Sequence, residues 1–162
     1  HLLLDRLKAA PHGRIVNVAS AAHRGARLDF DDLQGERGYS AWGAYGRAKL
    51  ANIMFTYALA RRLEGSTVTA NCLHPGFVAS NFGGDARGFL GFAFGLAKRF
   101  GALRVADGAR TPVYLCAATD VEGVSGRYFD RCKPVASSAA SMDREAQERL
   151  WGISERLTGI SP

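Results

Sequence analysis

The sequence predicts a three-layer α/β fold, in which helices cover both faces of a doubly wound parallel sheet. Three observations predict it. "RIVNVAS" and "TVTANCLH" are short apolar, β-branched runs of the kind found in strands buried on both faces. Between and after them lie segments with helical spacing, such as Leu50, Ile53, Met54 and Tyr57 at i, i+3, i+4 and i+7. The order strand, helix, strand, helix, strand, helix implies right-handed crossovers and parallel neighbours. At 162 residues, 47% apolar and 22% charged, the chain suffices for a single domain with one core.

The elements follow in order. "LLLDRLKAA" is helical in spacing and stops before Pro11, and residues 14–20 form the first strand, opening after Gly13. Residues 21–40 are polar and carry glycine, a long connection of the kind that bears function. A helix is expected from Ser40 to Leu63, then a second strand from Thr67 to His74, halted by Pro75-Gly76. Residues 77–103 form a variable region. "VADGARTPVYLCAA" reads as a helix whose start Pro112 leaves open, and "GRYF" at 126–129 as a third strand. The last helix takes Ser141 as N-cap and Asp143 and Glu145 in its first turn, with Ala146, Leu150, Ile153 and Leu157 on one face.

Composition excludes several classes. No apolar run approaches the roughly 20 residues a membrane span requires, and "HLLLDRLKAAPHGR" shows no charged leader with a cleavage site. The net charge of +6 raises the question of nucleic acid. The arginines, however, are interspersed with acids, as in "RRLEG" and "DREAQERL", so a solvated basic surface is expected and no nucleic-acid partner. Cys72, Cys116 and Cys132 form no C-x-x-C and are odd in number, which points to buried, reduced thiols in the cytoplasm. His1, His12 and His23 lack ligand spacing, so no metal is expected.

In open α/β sheets, ligands bind beyond the carboxyl ends of the strands. Ser20 ends the first strand there, and Pro75-Gly76 follow the second. Tyr45 stands near the start of the following helix with Lys49 one turn on, on the same side. A phenol titrates near a pKa of about 10, and a neighbouring positive charge favours the phenolate. Such a phenol can give a proton to a carbonyl oxygen or take one from an alcohol. Ser20 can hold the same oxygen, and Lys49 can also bond a sugar hydroxyl. Hydride must come from a cofactor, since no side chain carries it. A hydrolase built on Ser20 and His74 is disfavoured, because "NVASAA" lacks the glycines of a nucleophile elbow. His74 is expected to be a strand-end residue, not a catalyst.

"NVAS", "YGRAK" and "HPGFVAS", in that order, resemble the second half of the short-chain dehydrogenase/reductase family. "LQGE", "KLANIMF", "ARRLEGS" and "GRYF" resemble its retinol-dehydrogenase-like branch. The resemblance implies catalytic roles for Ser20, Tyr45 and Lys49. It implies cofactor contacts by Tyr45, Lys49, Pro75, Gly76, Val78 (through its backbone) and Ser80, where the family usually has Thr. It also implies a Rossmann-type domain and NADP or NAD as cofactor, with NADP favoured. The family's glycine-rich βα loop has no match here, and its Asn would fall before His1. Residues 1–162 are therefore expected to be one partial domain, the catalytic C-terminal half.

The expected function is NAD(P)-dependent interconversion of an apolar alcohol and its aldehyde or ketone. The alternative is a truncated, non-catalytic chain acting as an interaction module, with strand 14–20 open at its edge and the chain self-associating. "FLGFAFGLAKRFGAL" supports two readings equally: a helix packed on its own domain, or an apolar lid over a lipophilic substrate with residues 89–103 against a membrane surface.

Overall fold

The computed structural model describes residues 2–76 and 104–160. Its centre is a four-stranded sheet of β1 (Arg14–Val18), β2 (Thr69–His74), β3 (Tyr128–Asp130) and β4 (Lys133–Val135), in that spatial order. β1 and β3 both run parallel to β2, with Val18 opposite Leu73 and Leu73 opposite Phe129. The side chain of Asn71 sets β3 in place. It donates to Val124 O at 2.6 Å and accepts from the backbone N–H of Arg127 at 3.0 Å.

Alternation along the strands separates the layers. Ala70 and Cys72 face α2 (Ala41–Arg62), where they meet Ala58, Ile53 and, from α5 (Arg144–Thr158), Trp151. The short α1 (Leu4–Ala9) adds Leu4 and Leu7 to this layer. Leu73 and Phe129 face the other way, onto Leu115 of α3 (Val105–Ala117). The sheet is thus covered on both faces, the three-layer α/β architecture. α2 begins and ends as expected: Ser40 caps it by accepting from Gly43 N, and Leu63 closes it.

Several expectations are corrected. The sheet is mixed, because β4 pairs antiparallel to β3, with Phe129 opposite Pro134. Arg131 and Cys132, between them, both have positive φ (49° and 61°), as the tight turn of a twisted hairpin requires. β1 is only partly buried, and Val18 is 45% exposed, because β1 is an edge strand with no neighbour on its outer side among the described residues. The helix start that Pro112 left open falls at Val105, with Pro112 inside α3. The last helix is capped by Asp143, which accepts from Ala146 N at 3.0 Å, while Ser141 belongs to the preceding short α4 (Ala139–Met142). Its buried residues are Gln147 and Trp151, and Leu157 is exposed, because the helix turns toward Arg62 and Phe55. Of the three thiols only Cys72 is buried; Cys116 is exposed. No helix among the described residues is long and apolar enough to cross a membrane.

Candidate active site

β1 ends at Val18, and the chain continues through buried Ala19, whose N–H still bonds to Leu73 O at 2.8 Å. Ser20 therefore emerges at the carboxyl end of the sheet. Its side chain caps a 3-10 helix, Ala21–Gly25, by accepting from Ala22 N at 3.2 Å. An accepting hydroxyl keeps its proton free to donate elsewhere. Beside it, His74 at the end of β2 accepts Ala21 N–H through Nδ1 at 3.3 Å. Pro75 and Gly76 follow, and Gly76 has φ +83°, a backbone state that side chains disfavour.

The first turns of α2 lie against this loop, and Gly46 makes the approach possible. A Cβ there would stand 3.1 Å from Ala22 O and 3.4 Å from Ala26 Cβ. Tyr45 precedes that glycine and is half-buried beside Trp42, with ring centroids 5.8 Å apart. Lys49, one turn on, donates from Nζ to Val18 O at 3.0 Å and lies 5.6 Å from the centre of the Tyr45 ring. Lys49 thus joins the phenol-bearing helix to the strand end two residues before Ser20.

The structure brings Lys49 against both Tyr45 and the end of β1, and packs their helix on the loop that Ser20 caps. Pro75 and Gly76 follow the neighbouring strand, at the same end of the sheet. Val78, Ser80 and residues 89–103 lie outside the described residues. Asn52 was not singled out by sequence: its Nδ2 donates to Val18 O at 3.4 Å, sharing that carbonyl with Lys49. The i+3 spacing from Lys49 was the available signal. His74 does more than end a strand, since it holds the serine loop. His23 and Gly46 gave no local signal at all.

Burial lowers the His74 imidazole below its ordinary value, Asp130 opposes this, and Arg24 and Arg131 reinforce it. Burial pushes the Cys72 thiol up to about 12, so it is no nucleophile at neutral pH. No cluster of His, Cys, Asp or Glu among the described residues is placed to hold a metal. A groove of about 820 Å³ is lined by Tyr57, Arg61, Arg127, Met142, Arg144 and Gln147, among others. Along α2 its Tyr57 stands 12 residues beyond Tyr45, about 18 Å down the helix axis at ~1.5 Å per residue.

The donor set suits the nicotinamide-ribose end of a dinucleotide. Lys49 uses one of its three N–H donors on Val18 O, so others can meet ribose hydroxyls. No glycine-rich turn between a strand and a helix, of the kind that cradles the phosphates, occurs among the described residues.

Comparison with known proteins gives a consistent set of likenesses. The family model for short chain dehydrogenases matches residues 1–88. Human retinol dehydrogenase 14 is 43% identical over 99% of this chain and 48% of its own length. The chain spans about half the length of the curated relatives it matches. Among solved structures, an uncharacterised protein of Mycobacterium paratuberculosis superposes with a TM-score of 0.68 at 31% identity, covering 91% of this chain and 51% of that one. An Escherichia coli protein of short-chain-dehydrogenase type, solved with NADPH, superposes with a TM-score of 0.59 at 22% identity, over 81% and 46% of the two chains, a likeness of fold.

Proposed function

Because this chain belongs to the short-chain dehydrogenase family, we propose that it carries the acid–base site of an NAD(P)-dependent oxidoreductase. The reaction interconverts an alcohol with its aldehyde or ketone. Tyr45 gives its phenolic proton to the carbonyl oxygen in reduction and takes the hydroxyl proton in oxidation. Ser20 donates its free proton to the same oxygen and orients it. Lys49 holds the ribose of the nicotinamide nucleotide through the N–H donors that Val18 O leaves over. The Pro75-Gly76 turn, Val78 and Ser80 complete the nicotinamide side. When bound, the nicotinamide supplies or accepts the hydride.

One observation carries this reading: Lys49 Nζ lies against the Tyr45 ring while bonded to the carbonyl of Val18, two residues before Ser20. An apolar substrate is supported by relatives named retinol dehydrogenases, 39–43% identical to this chain. Tyr45→Phe in the complete enzyme should lower kcat by about 10²- to 10⁴-fold and leave cofactor affinity nearly unchanged. Turnover like that of the wild type would refute the assignment of Tyr45.

The edge of β1, open among the described residues, favours a second reading, a non-catalytic interaction module. NADPH titration and light scattering on the 162-residue chain separate the two. Self-association without cofactor binding supports the module, and a monomer that binds NADPH tightly supports the enzyme.

A further inference from the structure

Three residues beyond Ser20 stands a histidine that the proposed chemistry does not use. His23 lies in the 3-10 helix and has no exposed surface. Its Nε2 accepts the backbone N–H of Ser138 at 3.1 Å, across 115 residues of chain. Its Nδ1 lies 2.6 Å from Ser20 O. The two contacts fix one protonation state. A nitrogen that accepts a hydrogen bond carries no proton, so Nε2 is bare and Nδ1 donates to Ser20 O.

Neighbouring contacts continue the join. Arg24 donates to Ala136 O at 2.9 Å, and the His23 ring meets Tyr128 of β3 edge to face, with centroids 5.1 Å apart. From the other side, His74 of β2 holds Ala21 N–H. The serine loop is therefore clamped between the strand ends and residues 136–138. A second proton on His23 would turn Nε2 into a donor facing the donor of Ser138, and the clamp would lose that bond.

We infer that His23 is the positioning residue of Ser20, tying the serine loop to residues 136–138 while its Nε2 is unprotonated and releasing that segment when it takes up a proton. The inference rests on Ser20 being the group that orients the substrate oxygen. Burial lowers the imidazole below its ordinary value, the Ser20 carbonyl acts against this, and the charges of Arg24 and His74 add to the lowering. The clamp is therefore closed at neutral pH and opens only in acid, below the ordinary histidine value of about 6.5.

The test has a spectroscopic arm and a kinetic arm. In the ¹⁵N-labelled chain, long-range ring correlations should show His23 as the Nδ1–H tautomer. The amide signals of Ala21, Ala22 and Ser138 should shift together as His23 titrates, and that step should vanish in His23→Gln. In the complete enzyme, His23→Phe removes both bonds and should lower kcat about tenfold or more. His23→Gln, which keeps a donor and an acceptor but does not titrate, should recover most of that loss and move the acid limb of the pH profile to lower pH.

An Nε2–H tautomer overturns the inference, as do amide signals indifferent to His23 or an acid limb unchanged in His23→Gln. Should His23→Phe fail to fold, the His23→Gln profile decides. Undiminished activity in Ser20→Ala would refute the role of Ser20 instead, and the tautomer and coupled amide shifts would still be observed.

Discussion

The C-terminal end of α2 buries Ala58, Leu59, Ala60 and Leu63 against Val68, Ala70 and Trp151, whereas its N-terminal end leaves Tyr45 and Lys49 half-buried over a polar loop. At the rear, Trp151 stacks on Phe55 with ring centroids 5.4 Å apart, and the Arg62 guanidinium lies 4.0 Å above it. At the front, the helix is held by Lys49 on one carbonyl and by the close approach of Gly46. One rigid rod serves both ends: apolar burial at the rear fixes its position, and polar contacts at the front aim two side chains. Stability and chemistry should therefore respond to different substitutions along the same helix.

The largest effect on stability is expected from Trp151→Ala, which empties the rear cluster. It should cost about 3–5 kcal/mol in denaturant unfolding, with turnover per folded molecule unchanged. If kcat fell in proportion, the division between the two ends would fail. Gly46→Ala should do the reverse. Its Cβ meets Ala22 O at 3.1 Å and forces α2 away from the serine loop. That strain is offset by a gain in helix propensity of about 1 kcal/mol, so the melting temperature should barely move while kcat drops about tenfold. A variant with unchanged kcat would show that the approach of α2 to the loop is immaterial to the chemistry.

The smallest effect is expected from Glu148→Gln. Glu148 receives Arg61 at 2.7 Å and Arg62 on its other oxygen, and these bonds hold its carboxyl down to about 2. Since the folded value lies below the ordinary 4.5, the stability it contributes is complete above 4.5 and is lost as pH falls toward 2. Glu148 is 42% exposed, so the variant should lose less than about 1 kcal/mol, an effect weakened further by salt. Urea titrations at pH 7 and pH 3 would measure it, and an equal loss at both would disprove the ionic origin.

What sequence could disclose follows from the range of each interaction. α2 was legible to the residue because Ser40 and the Leu50–Tyr57 spacing are local signals. β1 and β2 were legible as apolar runs after a glycine and before Pro75. β4 was not, because three residues containing Pro134 carry no strand pattern, and their pairing comes from the turn at Arg131 and Cys132. Ser141 and Asp143 are both good capping types, and only the break between α4 and α5 selects Asp143. At the site, Tyr45 and Lys49 stood out by spacing. His23 could not, since its second partner lies 115 residues away. Gly46 could not either, as a missing side chain shows its purpose only beside Ala22.

The hairpin of β3 and β4 gives the sheet a polarity of growth. On that border stand three exposed residues, Lys133, Pro134 and Val135, of which one bears a charge and one has no N–H to offer. Length, charge and proline all make such a border a poor template for a further strand. Among the described residues, the side left for a newcomer to join is Arg14–Val18.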